Sequence, residues 1–260
     1  MKRKSPNITR NKNEKQGILL PLIAILVLLS VWQAACSAGL ISKFMLPSPI
    51  DVVKAFVNDF PLLMMHSRVT LVEAGAGLLC GIAVGFVTAV VMDRFDAVYQ
   101  MLYPLIILTQ TVPAVAIAPL LVLWFGYEMT PKIVLIVVTT FFPIAVSLLD
   151  GFRSADKDTV NLLRSMGAGE FQIFRYVKFP GALSQFFASL RISVSYAIVG
   201  AVISEWLGGF NGLGVYMTRV KKSFAFDKMF AVIFLISALS LLLMRGVDLL
   251  QKKCMPWKQL

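Results

Sequence analysis

The sequence predicts an all-α polytopic membrane protein with six transmembrane helices. Two observations carry that expectation. Of 260 residues, 58% are hydrophobic, and the mean hydropathy of +0.78 lies far above that of a soluble domain. Several uncharged runs also approach or exceed the ~20 residues a helix needs to cross a bilayer. The net charge of +11 does not point to nucleic acid, because no basic face interleaved with aromatics accompanies it. Lys and Arg enrichment in the cytoplasmic loops of a membrane protein accounts for the charge. Cys36, Cys80 and Cys254 are odd in number and have neither metal-binding nor redox spacing, so no disulfide framework is expected.

Residues 1–16 are polar and basic and are expected to form an irregular cytoplasmic tail. The domain organisation that follows is a transmembrane domain over residues 17–250 and a second cytoplasmic tail over 251–260. Gln16 to Ser42 carries no charge and supplies the first span. Ala34-Ala35-Cys36 resembles a lipoprotein cleavage site, but Gln33 stands where an aliphatic residue is expected and the apolar run continues beyond Cys36. Lys43 to Ser67, with Pro47, Pro49 and Pro61, reads as an external loop carrying a surface helix over Ile50–Phe60. The lone histidine, His66, receives no role. Arg68 to Met92 is the second span, and Gly77, Gly81 and Gly85 on one face predict close helix packing. Glu73 lies inside it, near the external end; an acid within a membrane span is a functional candidate.

Asp93, Arg94 and Asp96 make a short cytoplasmic turn. Ala97 to Tyr127 then runs without a charge and contains Pro104, Pro113 and Pro119. It is too long for one upright helix and is expected to cross once, broken around Gln110–Pro119. Irregular backbone at membrane depth persists only where protein or a wet cavity satisfies it, and transporters place substrate sites at such breaks. Gln110, Thr111 and the freed carbonyls before Pro113 are therefore candidate pathway-lining groups, with Glu73 and Glu205 as further candidates. Residues 131–149 form the next span, bent near Pro143; residues 185–205 cross back, with Arg191 snorkelling toward the interface. Glu205 and Gly208, Gly209, Gly212 and Gly214 open a turn-rich external segment, and residues 229–247 make the last crossing. Charge asymmetry puts both termini in the cytoplasm; the basic group Arg219, Lys221, Lys222 and Lys228 runs against it.

The longest charged segment between apolar regions is Asp156 to Pro180, within a loop spanning 153–183. It reads as two short helices broken at Gly167. Ser154 can cap the first, with Asp156 and Asp158 in its first turn. Glu170 opens the second, whose apolar positions Phe171, Phe174 and Val177 recur at helical spacing, and Pro180 is expected to end it.

This segment resembles the coupling loop of ABC importer permeases, in which Glu-Ala-Ala is followed after three residues by Gly and, nine residues later, by Ile-x-Leu-Pro. Gly167 and Pro180 match, Val177 and Phe179 replace the Ile and Leu, and Asn161, Leu162 and Leu163 replace Glu-Ala-Ala. Further likenesses are Leu46-Pro47-Ser48-Pro49, Pro113, Pro119, Phe125-Gly126, Phe142-Pro143, and Glu205 with Gly212-Leu213-Gly214. The branch is similar to nitrate, sulfonate and taurine permeases. Within it, the stretches 109–113 and 123–127 and the closing Pro256-Trp257 are most like permeases for pyrimidine precursors of thiamine or for riboflavin. The resemblance implies an importer permease fold, two cytoplasmic ATPase subunits at the loop, an external solute-binding protein and a second permease copy in a homodimer.

The residues agree with that mechanism. No phosphate-cradling G-x-x-x-x-G-K-[ST] loop is present, so no ATP is used by that route. No catalytic set, cofactor, metal or nucleic-acid partner is expected, and the plasma membrane is the expected location. Two alternatives stand beside the pyrimidine reading: a sulfonate, taurine or nitrate importer, and an ion-coupled carrier using Glu73 or Glu205.

Overall fold

The computed structural model describes residues 9–39 and 45–256. The closing Trp257 and the first residues of the basic tail lie outside that range. Every regular element among the described residues is helical, and five helices are long and apolar enough to cross a membrane. A sixth crossing comes from a broken pair, Asp96–Thr109 (α4) and Ala114–Phe125 (α5), bent by 99°. The chain divides into two packed units: one drawn from the described residues up to Phe60 and from Val220–Ala231, the other from Pro61–Arg219 and the residues from Val232 onward.

In the smaller unit, α1 spans Thr9–Ser37, so helix begins inside the segment expected to be irregular. Helix α2, Pro49–Asn58, is capped by Ser48, whose hydroxyl oxygen accepts the Asp51 N–H. Pro49 suits the first turn because its missing N–H would have had no helical partner there. Lys228 pairs with Asp59 at 2.8 Å, and Trp32 packs on Phe230 with ring centroids 5.9 Å apart.

The larger unit is organised by α3 (Phe60–Arg94), α6 (Met129–Arg153) and α9 (Phe179–Gly208). Helix α3 starts eight residues before the expected span, so Pro61 sits in its first turn and His66 lies within the helix. Gly77, Gly81 and Gly85 press against Ile136, Thr140 and Ile144 of α6, and a Cβ at any of the three would collide with that row. Lipid tails are as apolar as leucine, so close van der Waals approach of this kind, rather than expulsion from water, holds the helices together. A second cluster, with Ala89, Met92, Ile144, Leu148 and Phe152, fills the loop end of the bundle.

An ion pair brings the end of α6 to the start of α4. Arg153 at the end of α6 reaches Asp96 at the start of α4 and lies 3.6 Å from the Tyr99 ring centroid. Since α6 is long enough to cross, α4 and α5 together must make one crossing before it. The break falls at Gln110–Pro113; Pro119 lies inside α5 and Pro143 inside an uninterrupted α6.

Two expectations are corrected. Asp156, not Ser154, caps the first loop helix, α7 (Lys157–Ser165); the Ser154 hydroxyl instead returns to the Gly151 carbonyl at the end of α6. Pro180 ends nothing. The helix opening at Glu170 (α8, Glu170–Ile173) continues through a π turn, Phe174–Lys178, directly into α9. There the Phe179 N–H already bonds five residues back, to Phe174, so the widened turn accepts a proline that would clash in a regular α-helix. Arg191 pairs with Asp248 and donates to Gln251, both near the end of the last helix, α11 (Phe226–Cys254). The segment expected to be turn-rich and external contains a helix, α10 (Leu213–Lys222).

Candidate functional site

The break between α4 and α5 opens a cleft. Pro113 has no N–H and disfavours helical backbone in the residue before it, so the ladder stops there. Carbonyls of the last turn of α4 take side-chain hydroxyls: Thr109 donates to Ile106 O at 2.6 Å, and Thr111 to Leu108 O at 2.8 Å. Beside the break lies a cavity of about 300 Å³. Gln110, Pro113 and Thr109 line one side, with Thr139 of α6 and Tyr196 and Gly200 of α9 on the others. No Asp, Glu, Lys, Arg or His is among the lining residues. Of the predicted pathway residues, Gln110 and Pro113 lie on this cleft and Thr111 does not.

At the loop, the Asp156 side chain accepts the Asp158 and Thr159 N–H groups and the Thr159 hydroxyl. These bonds to the charged form, the hydroxyl first, hold its carboxyl below the usual carboxylate range. Gly167 has φ +85°. The Gly167 N–H returns to Arg164 O and the Ala168 N–H to Leu163 O, both at 3.0 Å, the paired bonds of a Schellman ending. Arg164 then bridges the turn to Glu170 at 2.8 Å.

The loop sequence therefore folds as one short helix, α7, joined through the Gly167 turn to the start of the long helix that runs from Glu170 into α9. It leaves Leu162, Met166, Phe171 and Tyr176 exposed by 61% to 74%. Asn161 is exposed and Leu163 half-buried. Phe174 turns inward, with its ring 5.1 Å from Phe152 and 6.2 Å from Phe179, and Lys178 pairs with Asp93 at the end of α3 at 2.8 Å. Val177, Phe179 and Pro180 are half-buried along the same run. Packed rings and an ion pair thus join the loop to the bundle.

Glu73 and Glu205 do not line the cleft. They sit at the opposite end of the unit in a buried polar group. Glu73 pairs with Lys132 at 2.5 Å, with both side chains 6% exposed. The Glu205 carboxylate accepts from the Thr70 hydroxyl at 2.7 Å and from the Gly214 N–H at 2.5 Å. Thr70 in turn accepts the Leu213 N–H at 2.9 Å, and His66 Nδ1 accepts the Gly212 N–H at 3.0 Å. His66 and Thr70 are one turn apart on α3, which aims both at the same loop. Sequence reading missed His66 and Thr70. The signal that could have found them is Gly212-Leu213-Gly214 itself, three consecutive N–H groups beside a membrane-depth acid and in need of acceptors.

The profile of the binding-protein-dependent transport system inner membrane component matches residues 81–255, spanning the break, the loop and the buried acid. The chain belongs to the ABC importer permeases. It is 36% identical to a probable ABC transporter permease protein of Haemophilus influenzae, over 90% of this chain and 96% of that one. It is 35% identical to the formylaminopyrimidine transport permease protein ThiX of Halalkalibacterium halodurans, over 93% and 96%. Among solved structures, the MetNI methionine ABC transporter in inward-facing conformations aligns with a TM-score of 0.65 and 18% identity, covering 76% of this chain and 98% of that one; that likeness concerns the fold. The protein is thus a multi-pass permease subunit of an ABC importer, and its relatives are transport permeases rather than enzymes.

Proposed function

We propose that this permease carries a small, uncharged heteroaromatic solute of the formylaminopyrimidine type through the Gln110–Pro113 cleft. In this reading the 153–183 loop faces the cytoplasm and receives the ATPase subunits. The far end of the bundle faces a solute-binding protein, a second copy completes the pathway, and both termini are cytoplasmic. The observation that carries the substrate class is the lining, which offers an amide, hydroxyls and a phenol ring without a cation. Desolvating a sulfonate or nitrate there would leave a buried charge unpaired, at a cost of several kcal/mol. A flat solute with ring nitrogens and an amino group finds donors and acceptors instead, and the volume sits at the lower end of small-molecule sites.

The similarity to a formylaminopyrimidine permease supports the same class. An ion-coupled carrier fits less well, because Glu73 is committed to Lys132, and Glu205 to Thr70 and Gly214, away from the cleft. The leading experiment is growth of a pyrimidine-requiring thiamine auxotroph on limiting precursor, with and without the gene. Loss of growth on precursor alone is expected. Loss confined to taurine or nitrate as sole sulfur or nitrogen source would reject the pyrimidine class.

A further inference from the structure

Helix α10 ends in a conformation that its residue resists. The Ala225 N–H returns to Val220 O at 3.0 Å and the Phe224 N–H to Lys221 O at 3.1 Å, the paired bonds of a Schellman ending. The residue that turns left-handed in such an ending is ordinarily glycine, as at Gly167, yet here it is Phe224, at φ +57°. Among the described residues it is the only non-glycine with a positive φ, and the penalty there is heaviest for bulky side chains. Burial of the ring does not offset the strain, because Phe224 is 61% exposed.

The strained residue lines a cavity of about 470 Å³ between α2 and the start of α11, within the smaller unit. Phe226 lines it too, with the two ring centroids 6.4 Å apart and the planes at 63°. Asp51, Lys54 and Asn58 face it from one side of α2, and Asp227 from α11. Lys228 also lines it but is held by Asp59. The Asp51 carboxylate accepts the Ser48 hydroxyl at 2.8 Å. Lys54 and Asp227 form no ion pair among the described residues.

We propose that this cavity is an outer capture site for the aminopyrimidine solute. The ring lies on Phe224 and Phe226, the amino hydrogens are donated to Asp51 and Asp227, and the ring nitrogens accept from Lys54 and Asn58. This rests on the pyrimidine reading, and on the proposed topology, which puts α2 and the start of α11 outside. Two rings at a steep angle suit a planar guest, since stacking on one and an edge contact with the other are both favoured. Carboxylates on both walls suit a guest rich in N–H donors and oppose a sulfonate or nitrate. Strain kept at an exposed side chain fits a ring held for a ligand rather than for the fold.

The test uses the whole importer in lipid nanodiscs, permease with its ATPase subunits and without binding protein, dialysed to equilibrium against labelled formylaminopyrimidine. Saturable binding is expected. Asp227→Asn and Phe224→Gly should each raise the dissociation constant about tenfold, and Phe224→Tyr should stay within about twofold of wild type. Phe224→Gly should at the same time raise the midpoint of thermal unfolding, because it relieves the left-handed strain. A lowered midpoint would show a ring kept for packing and would overturn the site, as would wild-type affinity in Phe224→Gly. Binding that Gln110→Ala abolishes and Phe224→Gly spares lies in the cleft and overturns the outer site. Unchanged pyrimidine affinity in Phe224→Gly, with more binding protein needed for half-maximal ATP hydrolysis, would make the cavity a protein contact and overturn it also. Uptake of formylaminopyrimidine by the complete importer without any binding in the dialysis overturns the outer site alone. No uptake by the complete importer overturns the pyrimidine reading beneath it.

Discussion

Lys132 and Glu73 pair where neither can reach water, so removing one partner strands the other. Lys132→Met is expected to destabilise the folded protein by about 3–5 kcal/mol, whereas Lys132→Met with Glu73→Leu should recover most of that loss. Denaturant titration in detergent micelles reads both; equal losses in the single and double variants would show that the pair does not act as one. Gly212→Ala combines φ +123° with a collision against the Glu205 carboxylate and is expected to cost about 2–4 kcal/mol. Gly75→Ala meets nothing within 4 Å and should be neutral or slightly stabilising. The same titration checks the contrast. These partnerships could not be read from the chain. Glu73 was legible as a buried acid, but its partner Lys132 looked like the entrance of a span. His66 looked idle because its acceptor role is set by Gly212, 146 positions later.

The loop was legible in outline, because a helix that ends on glycine announces itself and Gly167 does adopt the left-handed conformation. Nothing lies within 4 Å of a Cβ added there, so Gly167→Val carries only the backbone penalty, ~1–2 kcal/mol. The expected outcome is normal insertion, reduced co-purification of the ATPase and reduced transport, with Gly167→Asn milder because asparagine tolerates this conformation. Wild-type transport by well-expressed Gly167→Val would contradict the docking role. The Asp156 cap gives a pH dependence with a definite sign. Its carboxyl titrates below its unfolded value of 3.8, so the cap is fully present above about pH 4 and is lost as pH falls through the lower, folded value. The amide resonance of Thr159 should therefore stay unchanged from pH 7 to 4 and move only below. Pro180 misled because proline marks a helix end only where the ladder is regular, and the π turn is invisible to apolar spacing. The break at Gln110–Pro113 was readable, because proline within an uncharged run leaves few other solutions, whereas the 99° bend was not.

Six crossings followed from hydropathy, and the pairs Asp96–Arg153 and Asp93–Lys178 now tie three helix ends to one end of the larger unit. The larger unit thus carries the charged loop at one end, and the Gly212–Gly214 turn lies away from it, beyond the cleft. A cysteine at Ser154 is expected to react with an impermeant maleimide only from the cytoplasm and one at Asn211 only from outside; labelling of both from one side would contradict the topology. The most direct test of the whole mechanism is solute uptake into proteoliposomes that hold the permease with its ATPase subunits and binding protein. ATP supplied on the side of the 153–183 loop should drive uptake that survives an ionophore collapsing every ion gradient. Uptake that proceeds without ATP and stops with the ionophore would contradict it.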